Sequence, residues 1–257
     1  VLFNLNMNGG KSVIPTEAMP SFEDNIWGIY IQNSGLSKFP KTTLSKMLAG
    51  KMISVTPSIG NTTHGISGNS TPKDLETAFQ VLYLYMTDPR FDAEEYAAGI
   101  QQIKAVLPNL VNTPGFKFQH FVNEKLYGGN ERVVTISEEV LEAASLETIE
   151  RVYRQLFKDA AGATMTIVGN VDLETLKPMV EKYVGSIPKG KKAAGLNEKN
   201  LIQMAKGVSE NVLNVEMQTP KKTVFQVWSA YMPVNTKDMV TLTVRNCDHS
   251  AEIIVVI

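Results

Sequence analysis

The chain opens on Val1-Leu2-Phe3-Asn4-Leu5-Asn6, where apolar and polar residues alternate as in a half-buried strand. Gly9-Gly10 reads as a turn, and a loop with Pro15 and Pro20 follows. Phe22, Ile26, Ile29 and Tyr30 share one helical face, which predicts a helix over 22–31, with Gly35 suited to a left-handed cap after it. Thr42 to Leu48 predicts a short helix capped by Thr42 or Thr43. Lys51 to Pro57 and Thr62 to Gly68 read as two strands joined at Gly60-Asn61.

The strongest helical signals come next. Thr71-Pro72-Lys73-Asp74 supplies a cap, a first-turn proline and an acid, and Leu75, Phe79, Leu82 and Met86 form an apolar stripe. Asp92 with Glu95 repeats the capping logic before a second stripe, Tyr96, Ile100, Ile103 and Leu107, stopped by Pro108. Further helices are predicted over 116–127 and 145–157, the latter with Leu146, Ile149, Tyr153 and Leu156 spaced for burial. Ala163 to Gly169 is a strand rich in β-branched residues. Asp172 caps a helix to Val184 with Leu176, Val180 and Val184 on one face, distorted by Pro178 and closed by Gly185. From Ile187 to Asn200 periodicity is lost, marking a linker. Asn211 to Gln218 and Thr223 to Tyr231 read as a strand pair around Thr219-Pro220-Lys221-Lys222. Strands interspersed with helices and hairpins indicate a mixed α/β or α+β fold.

Composition narrows the function classes. The chain has 257 residues, enough to bury a sizeable core, and a formal net charge of −1, which favours neither nucleic acid nor an anionic membrane. No run approaches the roughly 18 apolar residues of a membrane helix. Cys247 is the single cysteine, so neither an internal disulfide nor a cysteine zinc cage is possible. His64, His120 and His249 are the histidines. His120 and Glu124 share a helix face but make two ligands where a zinc site usually needs three, so packing is the simpler reading. His64 reads as structural. Cys247 with His249 lacks the third group and the geometry of a nucleophilic site. Ser34-Gly35-Leu36 is not a G-x-S-x-G elbow, and no phosphate-binding G-x-x-x-x-G-K-[ST] loop occurs. Lys189 to Lys192 is a short solvated basic run, and Tyr83, Tyr85 and Met86 read as core.

Several phrases, taken in order, resemble the pitrilysin–insulinase metallopeptidase family. These are Pro72-Lys73-Asp74-Leu75-Glu76 and Asp88-Pro89-Arg90-Phe91, then Leu146 to Phe157. Thr166-Ile167-Val168-Gly169-Asn170-Val171-Asp172, Leu176 to Tyr183 and Ile187-Pro188 complete the series, so the resemblance spans roughly residues 26 to 234. Ser34-Gly35-Leu36, Leu48-Ala49-Gly50-Lys51 and Ser67-Gly68-Asn69-Ser70 look most like the later, non-catalytic domains of long bacterial zinc proteases. The resemblance implies an α+β fold, a mostly antiparallel sheet covered by helices. The sheet would hold the 163–169 strand, with the helices from Thr71 to Leu107 and from Ser145 to Phe157 on one face and their stripes turned to it. It implies a first subdomain over 1–186 without its opening hairpin, a linker over 187–210, and part of a second similar subdomain over 211–257. The C-terminal hairpin would seek a partner or pair with the apolar tail Ile253 to Ile257. The tail from Arg245 to His249 departs from the family pattern.

Catalytic relatives carry H-x-x-E-H on the first helix, with two zinc-binding histidines and a glutamate base, and a further acidic ligand on a later helix. Here the 22–32 segment holds no histidine, and its acids are Glu23 and Asp24 at its start. The later segment reads Gly99-Ile100-Gln101-Gln102-Ile103-Lys104, with no acid between Glu95 and Glu124. No catalytic or metal-binding residue is assigned, substrate-binding residues are open, and no cofactor is expected in this chain. Zinc belongs to a partner catalytic domain. The implied function is a non-catalytic domain, inactive alone, that supports peptide binding and enclosure by a zinc-bearing half. The alternative is a scaffold subunit with no role in proteolysis. Expected partners are that half-protease or further copies of the chain, with extended peptides at a sheet edge. The resemblance points to periplasm or cell envelope, and the composition is equally compatible with cytoplasm.

Overall fold

A computed structural model describes residues 1–190, 195–216, 219, 222–227 and 251–253. Its centre is a four-stranded antiparallel sheet in the order β2-β3-β1-β4, from Leu2–Asn8 (β1), Ile53–Ile59 (β2), Thr63–Ser70 (β3) and Thr164–Val168 (β4). The alternation in β1 is obeyed residue by residue: Phe3, Leu5 and Met7 are buried and Leu2, Asn4 and Asn6 exposed. The β2–β3 hairpin turns at Gly60–Thr62, slightly later than the pattern predicts. This α+β architecture is the one expected.

Helices cover one face. α3 (Leu75–Thr87) lays its stripe on the sheet, with Phe79 edge-on to Phe3 at 5.3 Å, and α7 (Leu146–Leu156) adds its stripe to the same core; Leu75, Leu82 and Ile149 are fully buried. Asp92 and Asp172 accept helix-opening N–H bonds with their side chains, as predicted, for α4 (Ala93–Val111) and α8 (Leu173–Met179), and Ser145 does the same for α7. α8 passes into a wider π turn at Val180–Val184, just beyond Pro178. α1 (Asp24–Asn33), α2 (Lys41–Met47), α5 (Pro114–Tyr127) and α6 (Glu138–Ala143) complete the helices.

Several expectations are corrected. α4 runs through Pro108 to Val111. Pro108 and Lys104 are both exposed, so the carbonyl that the missing N–H leaves free is not buried, and the proline costs the helix less. The α4 stripe does not face the sheet. Ile103 and Leu107 pack with Ile26, Ile136 and Leu141 in a second, smaller core beside α1. Gly35 is not left-handed; a side chain there would strike the Phe39 carbonyl at 2.0 Å, and Ser37 holds the positive φ of 55°. α2 starts after Pro40, with Thr42 and Thr43 inside it rather than capping. Residues 211–216 form no strand, and β5 (Val224–Gln226) pairs in parallel with β6 (Ala251–Ile253). The rest of the expected hairpin, the residues Ile254 to Ile257, and Cys247 and His249 lie outside the described residues.

Candidate functional site

The two helices on which the resemblance places zinc ligands lie against each other. α1 opens at Glu23, whose carboxylate caps the helix by accepting from the Asn25 and Ile26 N–H groups at 2.8 and 3.2 Å. Burial raises the Glu23 pKa, and these hydrogen bonds oppose the rise. Beyond that cap, α1 turns Ile26 and Ile29 toward Ile100, Ile103 and Leu107 of α4. Aliphatic side chains carry no lone pairs for a metal, so these residues do not fit zinc. Among the described residues, no cluster of three or more His, Cys, Asp or Glu could hold a metal ion.

The described histidines are separated. His120 on α5 stacks on Phe116, with centroids 6.3 Å apart, and is exposed. Glu124 bonds Lys125, and that contact, with the nearby His120 charge adding less, lowers its pKa. His64 is buried in β3 at 3% exposure, edge-on to Phe157. Its Nδ1 accepts from the Gly10 N–H at 3.3 Å and its Nε2 lies 2.9 Å from the Leu156 carbonyl. The neutral ring protonated on Nε2 satisfies both contacts, whereas a proton on Nδ1 would set two donors against each other.

Burial lowers the His64 pKa, with the Leu156 carbonyl pulling the other way. The folded chain therefore binds fewer protons than the unfolded chain below the ordinary histidine value. His64 contributes stability that is complete above about pH 6.5 and is lost as pH falls toward the lowered folded value. Unfolding free energies of the parent and His64→Gln, measured from about pH 7.5 down to about pH 5, are expected to give a shallower slope for the variant. Equal slopes would exclude this role.

The sheet face away from the helices is open. Three rows cross it: Ser58, Gly65, Asn6, Thr164; then Thr56, Ser67, Asn4, Thr166; then Ser54, Asn69, Leu2, Val168. None of these residues is charged, in a chain with 20% charged residues. The last two rows line a shallow concavity of about 350 Å³. β4 bounds this face as an outer strand and, unlike β2 with Pro57, has every backbone N–H. Its inward residues Met165 and Ile167 are only half-buried, whereas Phe3, Leu5 and Ile66 on the central strands are at 3% exposure or less. β4 also lacks the lysine, proline or bulge that commonly blocks edge pairing. An extended segment added there would complete the ladder and cover the wet side of the core. Sequence points to a sheet edge but not to its residues, because edge position depends on strand order.

Comparison with known proteins places this geometry. Residues 143–246 match the family model described as the peptidase M16 inactive domain. A zinc protease PQQL-like protein of Arabidopsis thaliana is 32% identical over 119 residues, 45% of this chain and 12% of that protein. The periplasmic protease PqqL of Escherichia coli superposes with a TM-score of 0.62 at 19% identity, over 79% of this chain and 22% of its own. A mutant of the ferredoxin protease FusC, in complex with Arabidopsis ferredoxin, gives 0.58 at 16% identity over the same shares. A protease from Helicobacter pylori gives 0.59 at 11% identity, over 80% of this chain and 49% of its own. The structural likenesses establish the fold, and this chain spans a minor part of these relatives.

Proposed function

We propose, from the premise that this chain resembles the inactive domain of pitrilysin–insulinase-type zinc proteases, that it helps a separate zinc-bearing half enclose and hold peptide. The carrying observation is the aliphatic contact between α1 and α4, where catalytic relatives would need metal ligands. The outer edge of β4 is the peptide-binding element, using backbone hydrogen bonds that tolerate many sequences. The uncharged face beside it admits peptides of either charge. The boundaries at 186 and 210 belong to this reading, as does a periplasmic or cell-envelope location, which the periplasmic assignment of PqqL supports. Among the described residues, no helix is long and apolar enough to cross a membrane.

Metal analysis after equilibration with zinc, a peptide digestion assay, and anisotropy titration with an extended β-branched peptide test this together. No stoichiometric zinc, no cleavage and measurable peptide binding are expected. Lysines at Thr166 and Val168, both exposed, are expected to weaken binding several-fold without unfolding the chain. One tightly held zinc with chelator-sensitive cleavage would overturn the non-catalytic assignment. Absence of peptide binding, alongside a stable complex with a zinc-bearing half, would favour the scaffold alternative.

A further inference from the structure

Arg132 is 8% exposed, yet its hydrogen-bond partners are neutral. Nη1 donates to Thr16 Oγ1 at 2.9 Å, and Nη2 donates to the Lys11 and Ile14 carbonyls at 2.6 and 3.0 Å, with Met19 Sδ at 3.7 Å. Nε donates to the carbonyl of Asn200 at 3.2 Å. One planar fork thus joins the loop after β1 to a segment far along the chain.

That segment has little else to bury. Among described residues 195–216, none is buried; Leu201, Ile202, Met204, Leu213 and Val215 are half-covered. It is held mainly by polar contacts. The Asn197 N–H donates to Ser12 Oγ at 3.2 Å, and Asn200 Nδ2 donates to the Ser12 carbonyl at 2.8 Å. The Ala205 N–H donates to the Leu126 carbonyl at 2.6 Å. Leu126 is in the last turn of α5, which Gly128 ends in a left-handed conformation at φ 59°, so that carbonyl has no partner within the helix. Farther along, Phe225 of β5 stands edge-on to Phe118 of α5, with centroids 6.1 Å apart.

These contacts are ordered. Successive positions 200, 205 and 225 meet 132, 126 and 118, so the segment runs antiparallel to α5 and its C-terminal loop. We infer that α5 with Arg132 is a docking rail for residues 195–216, and that this strap opens as a unit separate from the sheet. Opening would expose little apolar surface, since hydrogen bonds rather than a core hold the strap. Within the stretch 187–210, which reads as a linker in sequence, residues 195–210 are then a fastened strap. Only breakage of the clasp frees it.

Limited trypsin digestion of the full chain, with hydrogen exchange, tests the rail. Arg132→Met is expected to speed cleavage after Lys199 and Lys206 by roughly tenfold or more, the size expected for losing several charge-assisted hydrogen bonds. Amides of β1 and β3 are expected to keep their protection. Arg132→Lys is expected to behave like Arg132→Met, because an ammonium keeps the charge and loses the fork. Phe118→Ala is expected to speed cleavage after Lys222 more than after Lys199. Unchanged cleavage in both Arg132 variants would overturn the inference, and so would faster cleavage matched by equal loss of protection in β1 and β3. If neither variant folds, the parent decides: the Asn197 and Ala205 amides are expected to exchange at lower denaturant than those of β1 and β3, and simultaneous exchange would overturn the rail.

Discussion

Tyr153→Ala is expected to lower the unfolding free energy by about 3–5 kcal/mol. Tyr153 is 1% exposed on α7, where α1, α3 and the loop before α4 converge. Its ring stacks on Phe157 at 4.4 Å, meets Trp27 at 6.0 Å and takes the edge of Phe91 at 5.6 Å. Its hydroxyl donates to the Tyr85 carbonyl at 2.9 Å. That carbonyl is in the last turn of α3, among those a helix leaves without an internal partner. Burial raises the tyrosine pKa, so the hydroxyl stays protonated as the donor this contact needs. Tyr153→Phe keeps the ring and removes the donor, and is expected to cost about 1 kcal/mol. Denaturant unfolding of both variants separates packing from hydrogen bonding. A loss below about 1 kcal/mol for the alanine variant would mean that this junction is not central to the core.

Where local signals agreed with burial, the fold was legible. α3 and α7 each carry an apolar stripe at helical spacing, and both stripes joined the main core. β1 was legible because one of its faces is wet. α6 was not, because Leu141 is its one buried residue and six residues make too short a period to read. The end of α4 was misjudged because a proline on a wet helix face costs less than its local rule implies. The parallel pairing of Val224–Gln226 with Ala251–Ile253 depends on a partner well downstream, which local strand propensity does not reveal. Arg132 was missed for the same kind of reason. An isolated arginine reads as surface, and its carbonyl partners at Lys11 and Ile14 lie 121 and 118 residues away. That residues 22–32 hold no histidine and that no acid lies between Glu95 and Glu124 is plain from residue type alone. The aliphatic contact formed there was not legible, because Ile26 and Ile103 meet only after α1 and α4 cross.

The same crossing predicts what a single step back toward a metal ligand would do. Ile103→Glu would place a carboxylate at a position 3% exposed, facing Ile26 at 1% and Leu107 at 4%. The side chains packed around it, Ile26, Leu107, Ile136 and Leu141, are aliphatic and offer a buried charge no hydrogen bond. Loss of the aliphatic contact and desolvation of the acid act in the same direction, and together they are expected to cost on the order of 4 kcal/mol or more. Ile103→Val, which removes one methylene, is expected to cost about 1 kcal/mol. The glutamate variant should recover part of its deficit, relative to the parent, as pH falls and the buried carboxyl takes up a proton. Added zinc is expected to leave the deficit unchanged, since a lone acid among isoleucines supplies one ligand where a zinc site needs three. Denaturant unfolding at several pH values, with and without zinc, measures all three effects. Rescue of the variant by stoichiometric zinc would show that other ligands do converge on the crossing, and that the aliphatic contact between α1 and α4 does not preclude a metal.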